Sequence, residues 1–166
     1  MSEASNKDLK SHWNSAYEHT ATDRLGWYEE KPLQSLQLIE KTGLPKDAMI
    51  LNVGAGSTTL VDELLDLGYK NIIASDISES ALEKLKFRLG NHANQVRWIV
   101  DDLTNPTDLN KLGKIDLWHD RAVLHFFNDP EEQKTYFDLL RQLVRKGGYV
   151  IYPALLIPDL HGYEDR

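Results

Sequence analysis

Gly54 and Gly56 stand where the chain must turn, in the run Met49-Ile50-Leu51-Asn52-Val53-Gly54-Ala55-Gly56-Ser57-Thr58-Thr59. The apolar stretch before them reads as a buried strand, and the residues after them as a helix. Glycines at such a junction let the backbone approach a ligand, because no Cβ stands in the way. A second apolar stretch, Asn71-Ile72-Ile73-Ala74-Ser75, ends at Asp76. An acid at the next strand tip, about twenty residues beyond the glycine turn, is placed to accept hydrogen bonds from both hydroxyls of a ribose. The chemistry these residues offer is the binding of a nucleoside-containing cofactor. Gly54, Ala55 and Gly56 would line its backbone side, and Asp76 with the following Ile77 its sugar.

A dinucleotide fingerprint has a third glycine three positions beyond Gly56, and here that position is Thr59. The missing glycine serves close helix–strand packing around a pyrophosphate. A cofactor without pyrophosphate does not need it, which points to S-adenosylmethionine rather than NAD. Asp101-Asp102-Leu103 follows a third apolar stretch. Asp102 is expected to accept from an adenine amino group, with Leu103 giving a backbone donor and an apolar contact. The run His119-Asp120-Arg121-Ala122-Val123-Leu124-His125-Phe126-Phe127 closes a fourth stretch. Its polar tip and apolar continuation make a short wall between cofactor and substrate. Asp120 and Arg121 are expected at the cofactor's amino-acid part and His125 at the substrate. Asp120, His125 or an N-terminal tyrosine is the base where the nucleophile carries a proton. Trp13, Tyr17, Trp27 and Tyr28 suit a roof over the cofactor, with a tyrosine hydroxyl on its carboxylate. Each feature also has a plainer reading: a ligand-free turn, an N-cap acid at Asp76, a solvated turn at Asp102, a local Asp120–Arg121 ion pair, a half-buried His125, and aromatics that only pack.

Other chemistries are excluded or disfavoured. There is no phosphate-binding Gly-x-x-x-x-Gly-Lys-Ser/Thr loop and no Gly-x-Ser-x-Gly elbow. The six histidines show no metal-ligand spacing, so no catalytic metal is expected. Cysteine is absent, which removes disulfides, thiolate zinc sites and a cysteine nucleophile, and suits a reducing, cytoplasmic setting. The formal net charge of −7 disfavours nucleic acid and suits a basic partner. Lys84, Lys86 and Arg88 read as a solvated helix face. No apolar run approaches the roughly 18 residues needed to cross a bilayer. The N-terminus has no apolar stretch of a secretory signal, so no membrane partner is expected.

The elements that must position these residues follow from periodicity. Residues 1–7 read as disordered. Leu9, Trp13 and Tyr17 share one face of a helix over 8–19, and a second helix over 33–42 stops at Gly43 and Pro45. Strands are expected at 48–53, 71–76, 96–100, 115–119 and 148–152. Helices are expected at 57–67, at 78–89 with Ser78 as N-cap and Gly90 as stop, near 107–111, and at 130–145 with Pro130 in the first turn. This alternation predicts one α/β domain with a doubly wound, mainly parallel, Rossmann-like sheet. Residues 1–45 form an N-terminal helical cap, 46–157 the core and 158–166 a tail.

Taken together, Asn52-Val53-Gly54-Ala55-Gly56, Asp76, Asp101-Asp102-Leu103 and Ala122-Val123-Leu124-His125 resemble the motifs of the class I S-adenosylmethionine-dependent methyltransferases. The resemblance runs over residues 8–152. His12-Trp13-Asn14, Tyr17 and Trp27-Tyr28 are similar to a small-domain branch that includes protein-lysine and thiopurine-type enzymes, in which this segment folds over the cofactor. The resemblance implies S-adenosylmethionine as methyl donor, S-adenosylhomocysteine as product, and a protein lysine or a small molecule as acceptor. Two departures stand out. Asn52 occupies the place of the family's first-motif acid. From Tyr152-Pro153 to Arg166 the chain no longer resembles the family, whose sheet ends in a two-strand hairpin, so a shortened sheet lacking the last two strands is expected. The unpaired apolar strand 148–152 then invites a second copy, with the tail swapped across, and a homodimer is expected. Two other classes remain open here. One is a non-catalytic relative that binds cofactor or a partner, favoured by Asn52 and the short C-terminus. The other is an NAD-dependent oxidoreductase, which lacks its third glycine and its Tyr-x-x-x-Lys pair.

Overall fold

Three inner strands are buried along almost their whole length, so both of their faces are covered. In the computed structural model they are β1 (Met49–Val53), β2 (Asn71–Asp76) and β4 (Ile115–Asp120), flanked by β3 (Val96–Val100) and β5 (Val144–Ile151). All pairings are parallel, in the order β3-β2-β1-β4-β5. The structure describes residues 3–19, 32–56, 58–121 and 123–152, with the side chains of 3–8, 17 and 19 outside that description. Trp27, Tyr28, Ser57, Ala122, the side chain of Tyr17 and the tail from 153 therefore lie outside it.

Among the described residues, five α-helices wrap the sheet: α1 (Glu3–His19), α2 (Leu33–Lys41), α3 (Leu60–Asp66), α4 (Glu79–Leu89) and α5 (Pro130–Leu143). One core layer joins Ile50, Ile72 and Leu117 of the sheet to Ile39, Leu60, Leu64, Leu82 and Leu85 of α2, α3 and α4. The other joins Leu51, Val53, Ile73 and Trp118 to Tyr136, Leu139 and Leu143 of α5. Local chemistry fixes the helix ends. Ser78 Oγ accepts from Ala81 N at 3.2 Å to start α4. The Asp129 carboxylate accepts from Glu131 N at 2.9 Å to start α5, with Pro130 in its first turn.

Several boundaries differ from those expected. Residues 1–7 are not all irregular, because α1 begins at Glu3. The helix after the glycine turn starts at Leu60 rather than 57, since Thr58 N first closes a turn onto Ala55 O at 3.3 Å. Near 107–111 only a 3-10 turn, Leu109–Lys111, forms. The last helix stops at Leu143 and β5 begins at once at Val144, four residues before the expected strand. Val144 is extended (φ −71°, ψ 122°) and pairs with Ile115. A bulge between Ile115 and Leu117 then brings Tyr149 beside Leu117.

Candidate functional site

The strand order reverses between β1 and β4, and ligands of open α/β sheets bind at the carboxyl ends of the strands flanking such a switch point. The glycine turn lies there. Gly54 and Gly56 have φ of +63° and +47°, a region that side chains disfavour. A Cβ at Gly54 would also collide with Val123 Cγ2 from the segment after β4. Ala55 is fully buried behind the turn, its N–H bonded to Ser75 O at 2.9 Å.

Asp76 faces this turn directly. Its Oδ2 accepts from Gly56 N at 2.8 Å, and its Oδ1 from Ser78 N at 2.9 Å. Burial pushes its pKa up from 3.8 to about 6, against the lowering effect of the Ser78, Gly56 and Ile77 backbone N–H groups. Ile77 is thus present as a backbone donor to the same carboxylate, with its side chain half-buried. The acid and the glycine turn, far apart in sequence, form one unit at the switch point.

At the tip of β3 two neighbouring acids behave differently. Asp101 is buried and holds the following loop, accepting from Thr107 N at 3.0 Å and Leu109 N at 2.8 Å. Asp102 is half-buried, and its Oδ1 accepts from both the N–H and the hydroxyl of Thr104, at 2.8 and 2.7 Å. Leu103 turns into the core with Ile99, Leu109 and Phe127, so its side chain does not supply the expected apolar face for a base.

Asp120 ends β4 with no exposed surface. It accepts from Val123 N at 2.8 Å, Leu124 N at 3.1 Å and the Tyr136 hydroxyl at 2.6 Å. A carboxylate enclosed and engaged in this way does not fit the general base or the direct cofactor contact anticipated for it; it anchors the chain that follows. Arg121 is half-buried beside it. His125 is exposed, its ring 4.1 Å from that of Phe126.

A polar cluster that the sequence did not signal lies under α2. His119 is 2% exposed, with Nδ1 3.2 Å from Asn52 Oδ1 and Nε2 2.8 Å from Ser35 Oγ. Burial, and then the Arg121 charge, lowers its pKa from 6.5 to about 3, so the ring is neutral. With Nδ1–H donating to Asn52, Nε2 accepts from the Ser35 hydroxyl. Asn52 Nδ2 is buried without a hydrogen-bond partner. The one hint in the sequence is Ser35, a polar residue four before Ile39 on the apolar side of α2.

α1 lies across the top. Trp13 meets Phe126 edge-on at 5.2 Å, beyond β4. Asn14 Oδ1 accepts from the Ser78 hydroxyl at 2.6 Å, beyond β2. The helix therefore bridges two strand tips on either side of β1. Among the described residues, no three His, Cys, Asp or Glu side chains converge as metal ligands, and no helix is long and apolar enough to cross a membrane.

Comparison with known proteins agrees with this architecture. Residues 51–150 match a family model described as a methyltransferase domain. The chain belongs to this methyltransferase-domain family, and its fold is that of the class I enzymes. It is 27% identical over 157 residues to EEF1A lysine methyltransferase 2 of Mus musculus, covering 86% of this chain and 64% of that protein. It is 25% identical over 136 residues to the eEF1A lysine and N-terminal methyltransferase of the same species, covering 82% of this chain and 19% of that protein. The chain thus spans less than two thirds of either relative. Among solved structures, the N-methyltransferase NodS of Bradyrhizobium japonicum, in complex with S-adenosylhomocysteine, superposes with a TM-score of 0.68 at 15% identity, over 86% of this chain and 71% of that one.

Proposed function

We propose that this chain binds S-adenosylmethionine across the tips of β1 to β4 and transfers its methyl group to a nitrogen nucleophile. The observation that carries the proposal is the pairing of Asp76 with the Gly56 N–H at the switch point. The residues fit such a cofactor: a glycine turn with two positive φ values, a buried strand-tip acid, a second acid at β3, and an aromatic helix above. Asp76 would take the ribose hydroxyls while Gly54, Ala55 and Gly56 bring the backbone close. Asp102 would face the adenine through its carboxylate, with the backbone at Leu103 beside it. Asn52 and Arg121 would serve the amino-acid end, and Trp13, Tyr17 and Tyr28 the cover. When bound, the cofactor would supply an electrophilic methyl group on a sulfonium, to be taken by the acceptor in line as the sulfur leaves in S-adenosylhomocysteine. The protein's own task is to hold the partners in line and exclude water. His125, exposed beyond β4, is the group we assign to take the acceptor's proton, because Asp120 is enclosed.

For the acceptor we favour a protein lysine over a small molecule. The support is the net charge of −7, suited to a basic partner, and the lysine methyltransferases among the relatives. We further propose that two copies associate through the edge of β5, that nucleic acid is not a substrate, and that the protein works in the cytoplasm, in keeping with the absence of cysteine. Calorimetry with S-adenosylhomocysteine tests the cofactor. Binding is expected, rising with pH around 6 as Asp76 ionises to its acceptor-only form, and Asp76→Asn should bind weakly with a flat pH dependence. No heat of binding at any pH would overturn the reading. Methyl transfer to a lysine-containing peptide then tests the acceptor, and His125→Ala should slow transfer without loss of binding.

A further inference from the structure

Tyr136 sits on α5 with 1% of its surface exposed. Its ring packs edge-on against Trp118 at 5.3 Å and Phe127 at 5.9 Å. A phenylalanine would fill that place equally well, so the hydroxyl needs its own reason. It accepts from Trp118 Nε1 at 3.0 Å and donates to Asp120 Oδ2 at 2.6 Å. Burial and the Asp120 charge push the hydroxyl's pKa up, which keeps its proton available for donation. Asp120 in turn accepts from the backbone of Val123 and Leu124. A buried carboxylate needs such donors, and short charge-assisted bonds are the stronger kind.

The segment anchored this way touches the glycine turn, α1 and the residue that follows β5. Val123 packs on Gly54 so closely that no Cβ fits there. Phe126 meets Trp13 of α1. The backbone of His125 interacts with the hydroxyl of Tyr152, just after β5. Glycine turn, roof and proposed acceptor side thus take their positions from residues 123–127, and those residues take theirs from Asp120.

We propose that Tyr136 is a positioning residue: by holding Asp120 from α5, it sets residues 123–127 against the glycine turn and α1, and with them the shape of the cofactor crevice. The proposal rests on the cofactor reading above and adds to it a residue outside the crevice, on the far side of β4. It also gives the enclosed acid a role other than catalysis.

Without the hydroxyl, Asp120 is one donor short and its loop is free to relax toward water. Tyr136→Phe keeps the packed ring, so the fold should persist. Its affinity for S-adenosylhomocysteine should fall about tenfold, the usual scale for one hydrogen bond to a charged group. The amides of Val123 and Leu124 should exchange faster with solvent deuterium. Leu139→Ala is the control, since it opens the same core layer from the same helix with no polar contact to Asp120. It should lower Tm yet leave affinity and the two amides unchanged well below Tm. The proposal is overturned if Tyr136→Phe binds within twofold of the parent with both amides protected, or if Leu139→Ala weakens binding as much at a matched loss of Tm. Should the parent protein itself fail to bind S-adenosylhomocysteine, the cofactor reading falls, and amide exchange in the ligand-free variants still reports whether the latch exists.

Discussion

His119 and Asp76 are both buried near strand tips, and they pull the pH dependence of stability in opposite directions. The His119 pKa is depressed from 6.5 to about 3. The unfolded chain takes up a proton below pH 6.5 that the folded ring refuses. Its contribution is therefore fully present above that pH and is lost as pH falls from 6.5 toward 3. The Asp76 pKa is raised from 3.8 to about 6. The folded carboxyl keeps a proton that the unfolded one has released. Its contribution is fully present below 3.8 and is lost as pH rises through about 6. Between pH 4 and 6 the two slopes oppose, so the parent protein should show a nearly flat stability there as far as this pair decides it. His119→Gln keeps polar atoms toward Asn52 and Ser35 but cannot titrate, and it should expose the Asp76 slope. The stability gap between parent and variant should shrink by about 2 kcal/mol from pH 7 to pH 5, the worth of a depressed histidine over that interval. Urea midpoints at the two pH values measure it. An unchanged gap would mean that His119 is not held neutral.

At the scale of elements, the sequence carried some boundaries and not others, for physical reasons. β1 to β4 were legible because each apolar run ends in residues that can do nothing at a strand's centre: Gly54, Asp76, Asp101 and Asp120. The start of α4 was legible because Ser78 caps through its own hydroxyl. The start of α1 was not, because residues 3–7 carry no apolar stripe, Ala4 being the one apolar residue among them. The junction of α5 with β5 was missed because Val144-Arg145-Lys146 continues a helical pattern. What diverts it is pairing with β4 and the ion pair of Arg145 with Asp116, both remote in sequence. The same holds for the site. Gly54, Gly56 and Asp76 could be placed from spacing, whereas Ser35–His119–Asn52 and Tyr136–Asp120 are hydrogen bonds between elements and, beyond the polar Ser35 on the apolar side of α2, leave no local signature. α1 is intermediate: its aromatic stripe was visible, its two anchors were not. Those anchors make a prediction at this scale. Trp13→Ala removes an aromatic pair worth roughly 0.5–1.5 kcal/mol and releases α1 at its β4 end while Asn14 still holds the β2 end. S-adenosylhomocysteine should bind roughly two- to tenfold more weakly, and trypsin should cut sooner at the exposed Lys10. If neither changes, α1 is held by something other than Trp13.

At the scale of the molecule, the question is which of the sheet's two edges can meet a second copy. β3 is guarded. Arg97 projects from it exposed, Trp98 is tied back to Ala93 O at 3.0 Å, and the Lys86 ammonium lies 5.5 Å over the Trp98 ring. Charged side chains are a usual protection of an edge. Among the described residues β5 has less. Its charged residues, Arg145 and Lys146, lie toward its start, and Arg145 is turned inward to Asp116. Further along, Tyr149 is 40% and Val150 47% exposed on opposite faces. A twofold axis beside β5 would pair the two edges antiparallel and bury these side chains against their equivalents, a closed and self-complementary contact. Two copies carrying −7 each also repel. Association through this apolar edge should accordingly strengthen as salt screens the repulsion, the reverse of an interface built on ion pairs. Light scattering over a concentration series should show dimers that tighten with salt. Val150→Lys should give monomers that still bind S-adenosylhomocysteine, since Val150 has no part in the crevice. A parent protein that stays monomeric at every concentration and salt would show that β5 is shielded within its own chain, and the search for a partner would move from the sheet edge to the roof helix.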